Sequence, residues 1–218
     1  MSKRENISMS VIRRLPRYYR FLTRLMEKGV TRISSKELSL QMGLTASQIR
    51  QDLNCFGGFG QQGYGYIVEQ LQAEIGNILG LSNGYKAVLI GAGNLGQAIA
   101  SHMSFEKQGF SLVGIFDNSP SKIGSTINSL TVRGVDQLED FCREQRPVMA
   151  VLCVPRDSVG ELAERLYSLG VKNFWNFSHY DISMKYRDTV VENVHLNDSL
   201  MTLCYRISDR DEEETEEE

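Results

Sequence analysis

The apolar positions of this chain change period partway along it. Tyr18, Leu22, Leu25 and Met26 recur at helical spacing, while Arg13, Arg17, Arg20 and Arg24 form the opposite stripe. This predicts an amphipathic helix with Pro16 near its start, where a missing N–H costs little, and Gly29 at its end. Ser34 with Glu37, and Thr45 with Gln48, have capping-box spacing on either side of Gly43. Two short helices joined by a tight turn follow, a helix-turn-helix. On the second helix Ile49, Leu53 and Phe56 face inward, and Ser47, Arg50, Gln51 and Asn54 face away.

Beyond Tyr85 the period shortens. "KAVLI", "SLVGIF", "VMAVLCV", "VKNFWNF" and "TVVENVHL" read as strands, and helical stretches such as "VDQLEDFCREQ" and "DSVGELAERLYSLG" alternate with them. Such alternation predicts an α/β fold built on a doubly wound parallel sheet. A last helix, "NDSLMTLCYRIS", carries an apolar stripe of Leu196, Leu200, Leu203, Cys204 and Ile207 that needs a surface to cover. The expected division is a winged helix-turn-helix over residues 1–80, a Rossmann-like domain over 84–195, the terminal helix over 196–208 and a disordered acidic tail over 209–218.

Glycines discriminate between these regions. The pattern G-x-G-x-x-G occurs from Gly58 to Gly63 and again from Gly91 to Gly96. The first copy follows a helix and is interleaved with Phe59, Tyr64 and Tyr66, so it fails the context of a nucleotide loop and suits a β-hairpin, the wing. The second lies between a strand and a helix, and a further strand ends on Asp117, 21 residues past Gly96. Strand, glycine loop, helix, strand and acid make up the dinucleotide unit. Gly91 permits the turn, Gly93 lets the backbone approach the pyrophosphate, and Gly96 packs helix on strand. Ala92, Asn94 and Leu95 complete the loop, whose helix N-terminus offers free N–H groups to phosphate. Asp117 would accept the ribose hydroxyls and repel a 2′-phosphate, favouring NAD+/NADH. Val154 and Pro155, with Phe177 and Ser178, stand at the carboxyl ends of later strands, where the nicotinamide half would sit.

Charge adds a partner. Residues 1–50 hold eleven Lys or Arg against three acids, a net of +8, whereas residues 209–218 carry eight acids and one Arg, a net of −7. A basic head suggests a polyanion. Arg13, Arg14 and Arg17 are the candidate phosphate contacts, and Ser47, Arg50, Gln51 and Asn54 can hydrogen-bond base edges in the major groove of double-stranded DNA, with Gln61 and Tyr64 added from the wing. The four cysteines lie far apart without a C-x-x-C pair, and no histidine has H-E-x-x-H company, so neither a metal nor a catalytic residue is expected. No apolar run reaches the ~20 residues of a membrane span. A cytoplasmic protein is expected.

In this order "RLPRYYRFL", "LTASQIRQDLNCFGGFG", "GYGY", "GAGNLGQAIA", "FDNSPSKIG" and "NFS" resemble the bacterial redox-sensing repressor family Rex, from about Leu15 to Ile207. The resemblance implies a homodimer on a palindromic operator, bound with NAD+ or no cofactor and released by NADH, with the terminal helix exchanged between subunits. It adds Gln48 to the reading head and Lys122 to the cofactor site. Many members have Lys or Arg where this chain has Gln51, Gln61 and Gln62, and some have an acid where it has His195. The rival readings are an NAD-dependent dehydrogenase with an accessory DNA-binding domain, using His179, and a CoA-binding module.

Overall fold

The computed structural model describes residues 7–57, 59–61 and 64–216, in two compact units that divide at Asn83/Gly84. In the first, α1 (Met9–Glu27) is followed by β1 (Arg32–Ile33), α2 (Ser35–Met42), α3 (Ala46–Asn54), β2 (Gly60–Gln61), β3 (Gly65–Ile67) and α4 (Val68–Leu79). The three strands pair antiparallel in the order β1-β3-β2. This is a winged helix. Leu15, Tyr18, Leu22 and Leu25 of α1, Leu38 and Met42 of α2, Ile49 and Leu53 of α3, and Val68, Leu71 and Ile75 of α4 share one buried core.

Two expectations for α1 change. It begins at Met9, with the Ser8 side chain accepting from the Ser10 N–H, so Pro16 lies inside the helix rather than near its start. Pro16 is exposed, so a backbone carbonyl freed by its missing N–H can turn to water. The inward stripe contains Leu15, while Met26 is 39% exposed. Gly29 does end the helix, at φ +73°, and the Val30 N–H bonds back to the carbonyl of Leu25.

The second unit runs β4 (Tyr85–Ile90), α5 (Asn94–His102), β5 (Phe110–Asp117), β6 (Thr126–Ile127), β7 (Leu130–Gly134), α6 (Leu138–Gln145), β8 (Met149–Leu152), α7 (Arg156–Ser168), β9 (Asn173–Asn176), α8 (Ile182–Lys185), β10 (Val190–Asn193) and α9 (Leu196–Glu216). The sheet order is β10-β9-β8-β4-β5-β7-β6, parallel except for the β6–β7 hairpin. Without β6 this is the doubly wound order, with its switch point between β4 and β8. Alternation along β4 feeds both faces. Val88 and Ile90 pack with Leu138 and Cys142 of α6 and Val159, Leu162, Ala163 and Leu166 of α7. Ala87 and Leu89 pack with Ile99 and Ala100 of α5.

The acidic terminus corrects another expectation. The residues expected to be a disordered tail continue α9 to Glu216. Glutamate is a good helix former, and a helix already nucleated upstream extends at little cost. The apolar stripe of α9 is bare: Leu196, Leu200, Leu203 and Ile207 are 48–65% exposed.

Candidate functional site

The switch point opens into a cleft of about 460 Å³ lined by the Gly91 loop, Asp117, Asn118, Cys153, Val154, Pro155 and one side of α7 from Asp157 to Arg165. Each loop glycine has a distinct physical reason. Gly91 has φ +99°, and a Cβ there would stand 2.4 Å from the carbonyl oxygen of Cys153. At Gly96 a Cβ would lie 1.8 Å from the oxygen of Gly91, so helix and strand meet at glycine contact distance. Gly93 is different. Nothing lies within 4 Å of a Cβ there, and the residue opens α5 without any side-chain cap. Asn94 and Leu95 are exposed beside it. Uncapped N–H groups at a bare helix start are an anion site.

Asp117 helps to build that site. Its Oδ2 accepts from the Ala92 N–H at 2.6 Å and its Oδ1 from the Ser119 N–H at 2.8 Å, so the acid at the end of β5 holds the glycine loop in place. Each oxygen keeps a second lone pair for a ligand hydroxyl.

Val154 and Pro155 line the cleft, but Phe177 and Ser178 do not. Phe177 packs edge-on against Trp175, 4.7 Å between centroids, with the core on the α5 face of the sheet. Ser178 is buried, and its Oγ donates to Asn176 Oδ1 at 2.7 Å. Asn176 also donates to Asn193 Oδ1 at 2.8 Å, tying the end of β9 to β10. Lys122 is half-buried in the turn after Asp117, where its backbone N–H donates to the carbonyl of Ser119, and it does not line the cleft. Conversely, Asp157, Ser158, Glu161 and Arg165 of α7 line the cleft and were not expected. Their signal was positional, since "PRDS" opens the helix across the switch point from the glycine loop. Arg165 donates to both oxygens of Glu139, at 2.7 and 3.0 Å, and this bonding holds the Glu139 carboxyl below the usual range.

In the winged helix, the outer side of α3 presents Ser47, Arg50, Gln51 and Asn54 to solvent, and Arg13 is exposed on α1. Arg50 rests its guanidinium 3.1 Å from Ser35 Oγ at the start of α2. The Ser34–Glu37 capping box is complete. At α3 only half of the expected box forms. Thr45 accepts from the Gln48 N–H, but the Gln48 amide donates to Asp52 Oδ1 at 2.8 Å. Arg14 also turns inward, to Asp52, and Arg17 Nη2 donates to the Met42 carbonyl. These three expected DNA contacts therefore have internal partners, because a buried carboxylate and a helix end outcompete water for them. In the wing, Gln61 pairs with Gly65 across the hairpin, and Tyr64 is 71% exposed at its turn. Gly58, Gln62 and Gly63 lie outside the described residues.

Among the described residues, no three His, Cys, Asp or Glu side chains are grouped to hold a metal ion, and no helix is long and apolar enough to cross a membrane. His179 stacks nearly parallel on His195, with centroids 4.9 Å apart.

Residues 6–54 match a family described as "Putative DNA-binding protein N-terminus", and residues 82–180 match one described as "CoA binding domain". A redox-sensing transcriptional repressor Rex of Thermoanaerobacter pseudethanolicus is 52% identical over 97% of this chain and 94% of its own length. Its counterpart in Clostridium perfringens strain SM101 is 51% identical over 97% of this chain and 99% of its own. Among solved structures, RSP in complex with NAD+ and operator DNA is similar at a TM-score of 0.87 and 51% identity, with 96% of each chain covered. RSP in complex with NADH matches at 0.87 and 48% identity, over 97% of this chain and 99% of that one. On this identity along almost its whole length, the chain belongs to the Rex family of redox-sensing transcriptional repressors.

Proposed function

We propose that this chain is an operator-binding repressor that responds to the NADH/NAD+ ratio. One observation carries the reading: a glycine loop at an uncapped helix start, braced by Asp117, shares a chain with a winged helix whose recognition helix presents an almost acid-free outer face. Gly91–Gly96 and the α5 N-terminus would hold the pyrophosphate, and Asp117 the adenosine ribose, excluding a 2′-phosphate. Val154 and Pro155 belong to the apolar lining available to the nicotinamide, which is cationic in NAD+ and neutral in NADH. Only contacts that tell those two rings apart can shift an equilibrium between operator-binding and non-binding forms, since the adenosine contacts treat both alike.

Ser47, Arg50, Gln51 and Asn54 are the base-reading candidates, and Arg13 with the wing's Gln61 and Tyr64 the flanking contacts. With Gln rather than a cation at positions 51 and 61, fewer counterions are released and salt dependence is shallow. The bare stripe on α9 supports a homodimer, whose two heads would read a palindrome. The site of action is the cytoplasm.

The dehydrogenase alternative needs an acid or base beside a hydride-transfer carbon. His179 is stacked on His195 and does not line the cleft, which favours the repressor without a catalytic residue. A CoA ligand, phosphorylated on its ribose, would meet the carboxylate of Asp117. A gel-shift series with NAD+, NADH and neither tests the reading: operator binding should persist in the first and last and fall with NADH. Affinity indifferent to the NADH fraction rejects it.

A further inference from the structure

Asp52 stands on the inner side of the recognition helix beside the core residue Leu53, and only 1% of it is exposed. A carboxylate removed from water is costly unless its lone pairs are matched. Here all four are. Oδ2 accepts from Arg14 Nε at 2.6 Å and from the Tyr18 hydroxyl at 2.8 Å. Oδ1 accepts from Arg14 Nη2 at 2.7 Å and from Gln48 Nε2 at 2.8 Å. Arg14 and Tyr18 are one turn apart on α1, and Gln48 and Asp52 are one turn apart on α3. Together they form a clasp between the two helices.

Apolar burial has no preferred direction, so Ile49 and Leu53 alone would tolerate a roll of α3 about its axis. Four oriented hydrogen bonds do not. A roll of ~20° moves the edge of a helix of ~5 Å radius by about 2 Å, enough to break a bidentate base contact. Arg17 reinforces the arrangement by donating to the carbonyl of Met42, the last residue of α2, so α1 grips both members of the helix-turn-helix.

Given the DNA-binding reading above, we propose that Arg14, Tyr18, Gln48 and Asp52 set the roll of the recognition helix, making Tyr18 and Gln48 positioning residues for operator discrimination although neither reads a base. Tyr18 is 1% exposed, so its hydroxyl is out of reach of any groove.

The test uses the full-length chain, a duplex that the wild type selects from a random pool, and a shuffled duplex of the same composition. Tyr18→Phe and Gln48→Ala should remain folded by circular dichroism, bind NADH as the wild type does, and keep its affinity for the shuffled duplex. Each should lose about tenfold on the selected duplex, comparable to one mismatched base pair, with the loss spread over several base positions. The double variant should lose little more than either alone, because both act through one clasp. Unchanged discrimination in Tyr18→Phe overturns the proposal. So does a parallel loss on both duplexes, which marks a merely structural role. An altered preference at one base position in Gln48→Ala, with Tyr18→Phe silent, makes Gln48 a base reader and overturns it too. A wild type that selects no duplex rejects instead the DNA-binding reading on which the clasp rests.

Discussion

Gly65 and Gly91 look alike in isolation. Both have left-handed backbone, φ +69° and +99°, and both meet a carbonyl where a Cβ would stand, that of Ile33 at 2.6 Å and that of Cys153 at 2.4 Å. Each follows or opens a G-x-G-x-x-G string. Yet Gly65 begins the second strand of a hairpin on the winged helix, and Gly91 turns a buried strand into a helix at the switch point of a parallel sheet. The difference lies in what precedes the glycines. Ahead of the wing stands α3, a helix buried on one side and exposed on the other. Ahead of Gly91 stands β4, whose last four residues are all buried. A string of glycines specifies permissive backbone, and its neighbours decide whether that freedom makes a turn between strands or a seat for phosphate.

The harshest way to break the comparison is Gly96→Ala. Its Cβ would lie 1.8 Å from the backbone oxygen of Gly91, and neither helix nor strand can retreat without opening the core between α5 and β4. A loss of about 3–4 kcal/mol is expected. Thermal unfolding should show the second unit melting far earlier, with NADH binding lost alongside it. A variant with wild-type melting would mean that α5 does not sit against β4 this closely.

Gly93→Val separates function from folding at the same loop. A side chain there meets open space, so the melting temperature should stay close to that of the wild type. It would fill the approach to the α5 N-terminus, and NADH affinity should drop by about 100-fold, the equivalent of ~2.7 kcal/mol. NADH fluorescence titration measures it. Operator binding should persist and become insensitive to NADH.

At the wing the equivalent change has the opposite readout. Gly65→Ala adds a left-handed penalty of ~1–2 kcal/mol and a contact with the Ile33 carbonyl, distorting the pairing of β3 with β1. Operator affinity should fall by about tenfold in gel shifts while NADH binding is untouched. If NADH binding falls too, the first glycine stretch serves the cofactor and the assignment of the two copies is wrong.

How far these roles were legible depends on sequence distance. The dinucleotide unit is contiguous, Lys86 to Asp117, so period, glycines and acid can be read together. The polar outer face of α3 and the Ser34–Glu37 box are local as well. Asp52 is the contrary case. In "RQDLN" it reads as a solvated acid on a polar helix, and its burial is comprehensible only beside Arg14 and Tyr18, 38 and 34 residues earlier. The same separation hid the inward turn of Arg14, since a helical wheel assigns charge to the outside unless a buried partner is known. The β6–β7 hairpin did carry a local signal. Asn128 and Ser129, at φ +46° and +69°, form a two-residue turn between Ile127 and Leu130, and Asn accepts such backbone readily.

The mildest test leaves both glycine stretches intact and reads the cysteine beside each. Cys55 is exposed at the end of α3, next to the wing, and its Sγ donates to the Gln51 carbonyl of its own helix. Cys153 follows β8, its carbonyl against Gly91, and burial pushes its thiol up to about 12. The thiolate is the form that reacts, so at pH 8 the Cys153 thiol is held in its unreactive protonated form. A maleimide at pH 8 should therefore label exposed Cys55 well before Cys153, whose thiol lines the cleft but is held protonated. The raised value means that reactivity appears only as pH climbs toward 12, and lowering the pH protects Cys153 further. Mass spectrometry of the labelled peptides checks this. Labelling of Cys153 as fast as that of Cys55 in the folded protein would mean that the switch-point loop is as open as the wing, and the contrast between a surface turn and a packed strand-to-helix turn would lose its physical basis.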